Sequence, residues 1–148
     1  MYRSECALSN FLDHFGDKWS IIIIRDMFLQ KKTFNDFLSS SEGIATNILT
    51  NRLKTLDKGG VIGYRINPQN KKVKWYYLTD KGVDSYPVIL EMVNWSSRNL
   101  DKKFGAKSIE MFNKNKGDFK YSFAKVKTSE YLKFRDNLFH KSIPLMIN

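Results

Sequence analysis

The chain has 148 residues, of which 42% are apolar and 27% charged, and these proportions exclude an intrinsically disordered chain. The longest aliphatic run, residues 21–24, is too short to cross a bilayer, and the first residues lack the apolar core of a signal peptide. A single cysteine, Cys6, excludes an intrachain disulfide, so we expect a cytoplasmic globular protein without a membrane partner.

The net charge of +10 is unevenly distributed. Residues 52–81 carry eight basic and two acidic side chains, whereas residues 1–51 carry five basic and six acidic ones. Such a concentration of positive charge is typical of a nucleic-acid-binding surface, but it also occurs on solvated lysine-rich faces. Charge alone leaves both interpretations open.

The first half of the chain predicts four helices. Apolar positions 8, 11, 12 and 15 have helical spacing and are followed by Gly16, which ends the first helix. Asp17 is suited to cap a second helix, residues 18–29, which is apolar nearly all round and therefore belongs in the core. Thr33 caps a short third helix, and a turn over residues 39–43 leads to a fourth, residues 45–58.

In the second half, the spacing of apolar residues changes from a helical pattern to strict alternation. Alternating apolar residues at positions 62–66 and 73–77 predict two strands joined by a hairpin loop over residues 67–71. Thr79 caps the next helical segment, and Pro87 starts a fresh helix that runs towards Leu100. Further on, residues 130–140 read as an amphipathic helix, and alternating aromatic positions 119, 121 and 123 suggest a strand.

This order of elements predicts a mainly α protein with a small β hairpin, the arrangement of a winged helix-turn-helix DNA-binding domain with extra helices for dimerisation. Residues 1–100 form the DNA-binding and dimerisation domain. Residues 101–148 form a C-terminal extension that we expect to be ordered, helical and packed on the dimer, because its aromatic residues are too many to leave in water.

Motifs in chain order resemble the HxlR-type winged helix-turn-helix transcriptional regulators, relatives of the MarR-like repressors. They are Cys6, the stretch Gly16-Asp17-Lys18-Trp19, residues 43–54, 60–62 and 76–82, Pro87 and Trp95. The resemblance covers about residues 5–100, with departures at Ala7, where the family often has proline, and at Asp17, where it often has glycine. It implies a bacterial DNA-binding homodimer that regulates transcription.

The polar face of the fourth helix predicts base recognition in the major groove. Asn47 and Asn51 lie four residues apart and share a face, and asparagine can pair with adenine through two hydrogen bonds. The alternative is an ordinary polar surface helix. The predicted recognition residues are Thr46, Asn47, Thr50, Asn51, Arg52 and Lys54.

The hairpin after this helix is interpreted as the wing, with side chains for phosphates and for the minor groove. The alternative is an edge hairpin that lysines protect from aggregation. The predicted residues of the wing are Arg65, Gln69, Asn70, Lys71, Lys72 and Lys74, and a further phosphate site at the start of the third helix comprises Lys31, Lys32 and Thr33.

No motif supports catalysis, a cofactor or a metal site, so we expect no enzyme. The expected function is that of a sequence-specific regulator, a repressor in particular, that binds double-stranded DNA at a palindromic operator as a homodimer. A winged helix used as a protein–protein interaction module is the alternative; a polar recognition face favours DNA.

Cys6 is the redox candidate. In the resembling family, a cysteine at this position serves some members as a sensor of oxidants or electrophiles, which implies an oxidant or small-molecule effector. A sensor thiol must be accessible, and Cys6 lies just ahead of the first helix. The alternative is an ordinary, partly buried cysteine.

Overall fold

A computed structural model describes residues 4–114 and 119–140 of the chain. Over these residues the elements are α1 (Ala7–Phe15), α2 (Lys18–Phe28), α3 (Phe34–Leu38), α4 (Thr46–Lys58), β1 (Ile62–Asn67), β2 (Asn70–Leu78), α5 (Asp80–Val83), α6 (Tyr86–Asn99), α7 (Ala106–Lys114) and α8 (Phe119–His140). The predicted fold class, mainly helical with one β hairpin, is therefore confirmed. None of the described helices combines the length and apolar character that crossing a bilayer requires.

Side-chain caps set the starts of three helices where the sequence predicted them. At α2, Asp17 accepts hydrogen bonds of 3.0 Å from two backbone N–H groups of the first turn. At α3, Thr33 and Asp36 form a reciprocal capping box. At α5, the hydroxyl of Thr79 accepts a hydrogen bond from the N–H of Gly82. Each cap satisfies backbone donors that the helix itself leaves free.

The core lies under α4. Ile23, Ile24 and Met27 of α2 are almost fully buried, as an all-round apolar helix requires. They belong to one cluster with a stripe of leucines on α4, with the base of the hairpin, and with Tyr131 of α8. Because only one side of α4 enters this cluster, the other side is left to face outward.

The two strands pair antiparallel, with Ile62 opposite Leu78 and Arg65 opposite Trp75. The pairing shifts register after Ile66, so that the turn is made at residues 68 and 69, inside the predicted loop. The hairpin therefore has two faces that alternate along each strand. Its tip extends away from the core.

The strand suggested at positions 119–123 is wrong, because these residues lie in α8, which also begins earlier than the predicted residue 130. The outer edge of β2 is already occupied. The N–H of Tyr76 donates to the carbonyl of Lys32 (2.7 Å), and the N–H of Leu78 donates to the hydroxyl of Tyr131 (2.7 Å). These two outward N–H groups at the end of β2 therefore have partners other than a third strand, and residues 119–123 belong to a helix instead.

Candidate nucleic-acid interface

The outward face of α4 carries five polar side chains that are all exposed: Thr46, Asn47, Thr50, Asn51 and Lys54. Leu49, Leu53 and Leu56 anchor the opposite face in the core, so the orientation of the helix is determined by burial. The five predicted recognition residues on this face are brought together as expected from helical spacing.

Arg52 does not belong to this exposed face. It is half-buried, and its Nη1 lies 3.3 Å from Oδ2 of Asp17, the residue that caps α2. Arg52 therefore links α4 to the start of α2. Its position in the sequence, next to Asn51, does not reveal this, because adjacent helical residues point in different directions.

A network of charged and hydroxyl groups holds the turn before α4. Asp26, which is 1% exposed, accepts hydrogen bonds from Arg25, from Lys31 Nζ (2.8 Å) and from Ser40. Arg25 also reaches across to Glu42, with Nη2 3.0 Å from Oε2. The hydrogen bond from Arg25 lowers the pKa of Glu42 to about 2, against the opposing effect of burial.

Sequence reasoning missed this network. The only signal was the Arg25-Asp26 pair on an otherwise apolar helix, since a buried carboxylate needs partners. Through it, α2 fixes the residues that lead into α4.

The three residues predicted to hold a phosphate at the start of α3 all have partners inside the protein. The ammonium group of Lys31 belongs to the network around Asp26. Lys32 Nζ lies 4.6 Å from the ring centroid of Trp75, and the hydroxyl of Thr33 accepts the N–H of Asp36 at 3.1 Å. Lys31 thus supports the turn before α4, Lys32 contacts the wing, and Thr33 caps α3.

The tip of the wing exposes Gln69, Asn70, Lys71 and Lys72. Asn70 shapes the turn, because its Oδ1 accepts a hydrogen bond from the backbone N–H of Lys72 (3.1 Å). Further down, the ammonium group of Lys74 lies 3.8 Å from the ring centroid of Tyr64. The tip and the adjoining part of β2 therefore expose three lysines.

The side chain of Arg65 lies on the other face of the hairpin, away from Tyr64. Its Nη1 donates a hydrogen bond of 2.6 Å to the backbone carbonyl of Leu138 in α8. Its guanidinium carbon also lies 5.4 Å from the ring centroid of Phe139. The strand alternation therefore puts Arg65 on the face of the hairpin opposite Tyr64, against α8.

A cleft of about 270 Å³ separates α4 from the wing. Tyr64, which is exposed, and Asp57 were not among the predicted site residues, yet both line it. Tyr76 lies on the same side of the hairpin, and its pKa is raised, mainly because its side chain is partly buried. The cleft is lined by Phe34, Thr50, Leu53, Lys54, Asp57, Tyr64, Lys74 and Tyr76.

Cys6 lies at the N-cap of α1 and is exposed. Its backbone carbonyl accepts a hydrogen bond from the N–H of Asn10 (3.1 Å), which places the residue at the very start of the helix. Leu8, two residues further on, is 65% exposed. Cys6 therefore precedes, by two residues, an apolar side chain of α1 that the described residues leave exposed.

Comparisons with known proteins agree with this geometry. The chain is 33% identical over 97 residues to the HTH-type transcriptional regulator YdeP of Bacillus subtilis, covering 66% of this chain and 76% of that one. Among solved structures it is similar to the protein PA1607 (TM-score 0.64, 31% identity, 70% of this chain and 73% of that one). It is also similar to the redox regulator HypR in its oxidized form (TM-score 0.59, 31% identity, 66% of this chain and 100% of that one).

The model of the HxlR-like helix-turn-helix family matches residues 14–104, which include α2 to α6 and the whole wing. Relatives in this family are transcriptional regulators, which confirms the expectation that the chain is not an enzyme. By sequence and by structure, the chain belongs to the HxlR-type family of DNA-binding helix-turn-helix transcriptional regulators.

Proposed function

We propose that this regulator is a cytoplasmic homodimer that binds a palindromic operator and represses transcription from it. The observation that carries the proposal is the exposed polar face of α4, which carries Asn47 and Asn51. The same helix borders, through Thr50 and Lys54, the cleft that Lys74 of the wing also lines. One such helix reads one half-site, and two-fold symmetry supplies the second about one helical turn away. Bound dimer then blocks access to the promoter.

Within this proposal, α4 contacts base edges and the wing contacts phosphates and the minor groove. We assign no DNA contact to Arg52, Lys31, Lys32, Thr33 or Arg65, because each is only partly exposed and its side chain has a partner inside the protein. The proposed contacts are Thr46, Asn47, Thr50, Asn51 and Lys54 from α4, and Gln69, Asn70, Lys71, Lys72 and Lys74 from the wing.

The alternative, a winged helix that binds another protein, fits this face less well. Protein interfaces have a core that is poor in charge and rich in aromatic residues. The exposed side of α4 instead consists of hydroxyl, amide and ammonium groups. These are the groups that pair with base edges and phosphates.

Apolar residues on α1 and α6 support the dimer. Leu8 and Leu12 share one face of α1 and are 65% and 47% exposed, and Met92 and Trp95 on α6 are 45% and 54% exposed. Large apolar side chains grouped on helix faces mark an interaction surface. A second copy of the chain would cover both faces in one isologous interface.

We also propose that the dimer responds to oxidants or electrophiles through Cys6. HypR is named a redox regulator, and Cys6 is exposed beside the dimer face. Two Cys6 thiols, one from each subunit, can form a disulfide as they give two electrons and two protons to an oxidant. A bond or a small adduct at this face would change the spacing of the two α4 helices.

The test of DNA recognition is selection of bound fragments from the host genome at moderate salt, followed by footprinting. The expected result is a short palindrome whose half-sites lie about 10 base pairs apart on one side of the duplex. Enrichment of no sequence motif, with binding that depends on salt alone, would contradict the proposal.

A further inference from the structure

The last described helix, α8, lies outside the family match, which ends at residue 104, yet it is part of the core. Tyr131, near the middle of α8, is 2% exposed and packs in the main cluster with residues of α2, α4 and the hairpin. Its ring lies 5.2 Å from that of Phe28 in α2. The helix therefore has a fixed place relative to the rest of the domain.

From this place α8 binds both backbone polar groups of Leu78, where β2 ends. The hydroxyl of Tyr131 accepts the N–H of Leu78 at 2.7 Å, in a buried position. Arg135 Nη1 donates to the carbonyl of Leu78 at 3.0 Å and pairs with the carboxylate of Asp80 at 2.8 Å. Buried backbone groups that lose such partners carry a large desolvation cost, so these contacts hold the base of the wing firmly.

A second set of contacts joins the end of α8 to the wing itself. The carbonyl of Leu138, in the last turn, accepts the hydrogen bond from Arg65. The last four carbonyls of a helix have no partner within it, and the negative end of the helix dipole favours a cation there. The ring of Phe139 packs edge-on against Tyr77, with centroids 5.0 Å apart.

The two faces of the hairpin thus have different neighbours. Tyr64 and Lys74 line the cleft towards α4, whereas Arg65 and Tyr77 contact α8. The wing is enclosed between the recognition helix on one side and α8 on the other.

We propose that α8 is a clamp that sets the position of the wing relative to the recognition helix, with Tyr131 and Arg135 as positioning residues and Arg65 as their counterpart in the wing. This inference rests on the proposed function, in which the wing contacts DNA. Arg65 then acts on DNA affinity through α8 and makes no phosphate contact of its own.

The first test uses the double variant Tyr131→Phe/Arg135→Met, which removes both contacts to Leu78 and keeps the buried ring. The control is Asp136→Asn, on the exposed side of α8. Hydrogen exchange followed by mass spectrometry should show hairpin amides of the double variant exchanging about tenfold faster, with α2 unchanged. Unchanged exchange in the hairpin, or equal acceleration in α2, would overturn the clamp.

The second test is titration of a duplex obtained by the genomic selection. The double variant should bind about tenfold more weakly, and Tyr131→Phe/Arg135→Lys, which keeps a donor for the Leu78 carbonyl, should recover part of the affinity. Faster exchange with wild-type affinity would refute a role of α8 in DNA binding.

A separate variant, Arg65→Ala, distinguishes the clamp from a direct phosphate contact. It should weaken binding without changing the slope of log K against log salt, whereas loss of a phosphate contact lowers that slope by about 0.9. A lowered slope would overturn the assignment of Arg65. If the wild-type protein binds no DNA at all, the proposed function fails, and the exchange experiment still decides whether α8 holds the wing.

Discussion

Arg25 in α2 holds Glu42, in the turn before α4, with its Nη2 3.0 Å from Oε2 of the carboxylate. The same guanidinium also binds the buried Asp26, so one side chain connects the core helix to the loop that positions α4. This contact has a pH dependence because Glu42 titrates. The remaining predictions concern the surfaces that α4, the wing, α1 and α6 leave exposed.

The first prediction concerns acid stability. The folded protein lowers the pKa of Glu42 from the ordinary value of 4.5 to about 2, so ionised Glu42 contributes stability above pH 4.5 that is lost as the pH falls towards 2. Glu42→Gln should therefore be less stable than the wild type at pH 7, and the two should converge near pH 2. Urea unfolding at a series of pH values measures the difference.

The control for this prediction is the double variant Arg25→Gln/Glu42→Gln. Because the two residues act as a pair, adding Glu42→Gln to Arg25→Gln should lower the free energy of unfolding little further. The difference in stability between Arg25→Gln and the double variant should also not depend on pH. If the difference in free energy of unfolding between the wild type and Glu42→Gln stays the same from pH 7 to pH 2, the ion pair does not act as described.

The second prediction separates base recognition from phosphate binding. Asn47→Ala or Asn51→Ala should cost about 1–3 kcal/mol at the operator and relax its sequence preference, since a two-pronged base contact is lost. Lys72→Ala should weaken all sequences alike and lower the salt slope by about 0.9. Asn35→Ala, an exposed asparagine on α3, is the matched control. If both α4 variants bind the operator as tightly as the wild-type protein does, the assignment is refuted.

The third prediction concerns assembly. Met92→Glu places a charge on the exposed apolar face of α6 and should give a monomer in light scattering at micromolar concentration, because burying an unpaired charge is costly. Ile66→Glu, on the wing, is the control, since Ile66 is 46% exposed and Met92 45%. It should leave the mass unchanged. A monomeric wild-type protein would count against the homodimer.

The fourth prediction concerns Cys6. Diamide or a quinone should weaken DNA binding by the wild-type protein, because a disulfide or adduct at the start of α1 disturbs the dimer face. Cys6→Ser should bind DNA normally and ignore the reagent, and a reductant should restore the diamide-treated wild type. If the oxidant leaves wild-type affinity unchanged, or weakens both proteins equally, Cys6 is not the switch.

Much of the fold could be read from local patterns in the sequence. Asp17, Thr33 and Thr79 cap helices where they were expected, because a cap depends only on a side chain and the next three residues. Period-2 alternation located the hairpin, and period-3.6 spacing brought the exposed residues of α4 onto one face. Each of these signals is contained within a few residues.

The tertiary structure alone decided the partners of the cations. Lys31, Arg52 and Arg65 all resemble DNA contacts in the sequence, but they meet Asp26, Asp17 and the carbonyl of Leu138 in the fold. It also made residues 119–123 helical, as part of α8, whose Tyr131 is buried in the core. A charge or an alternating pattern is a local property of the chain, whereas its partner lies up to 73 residues away and is chosen only when the core brings distant segments together.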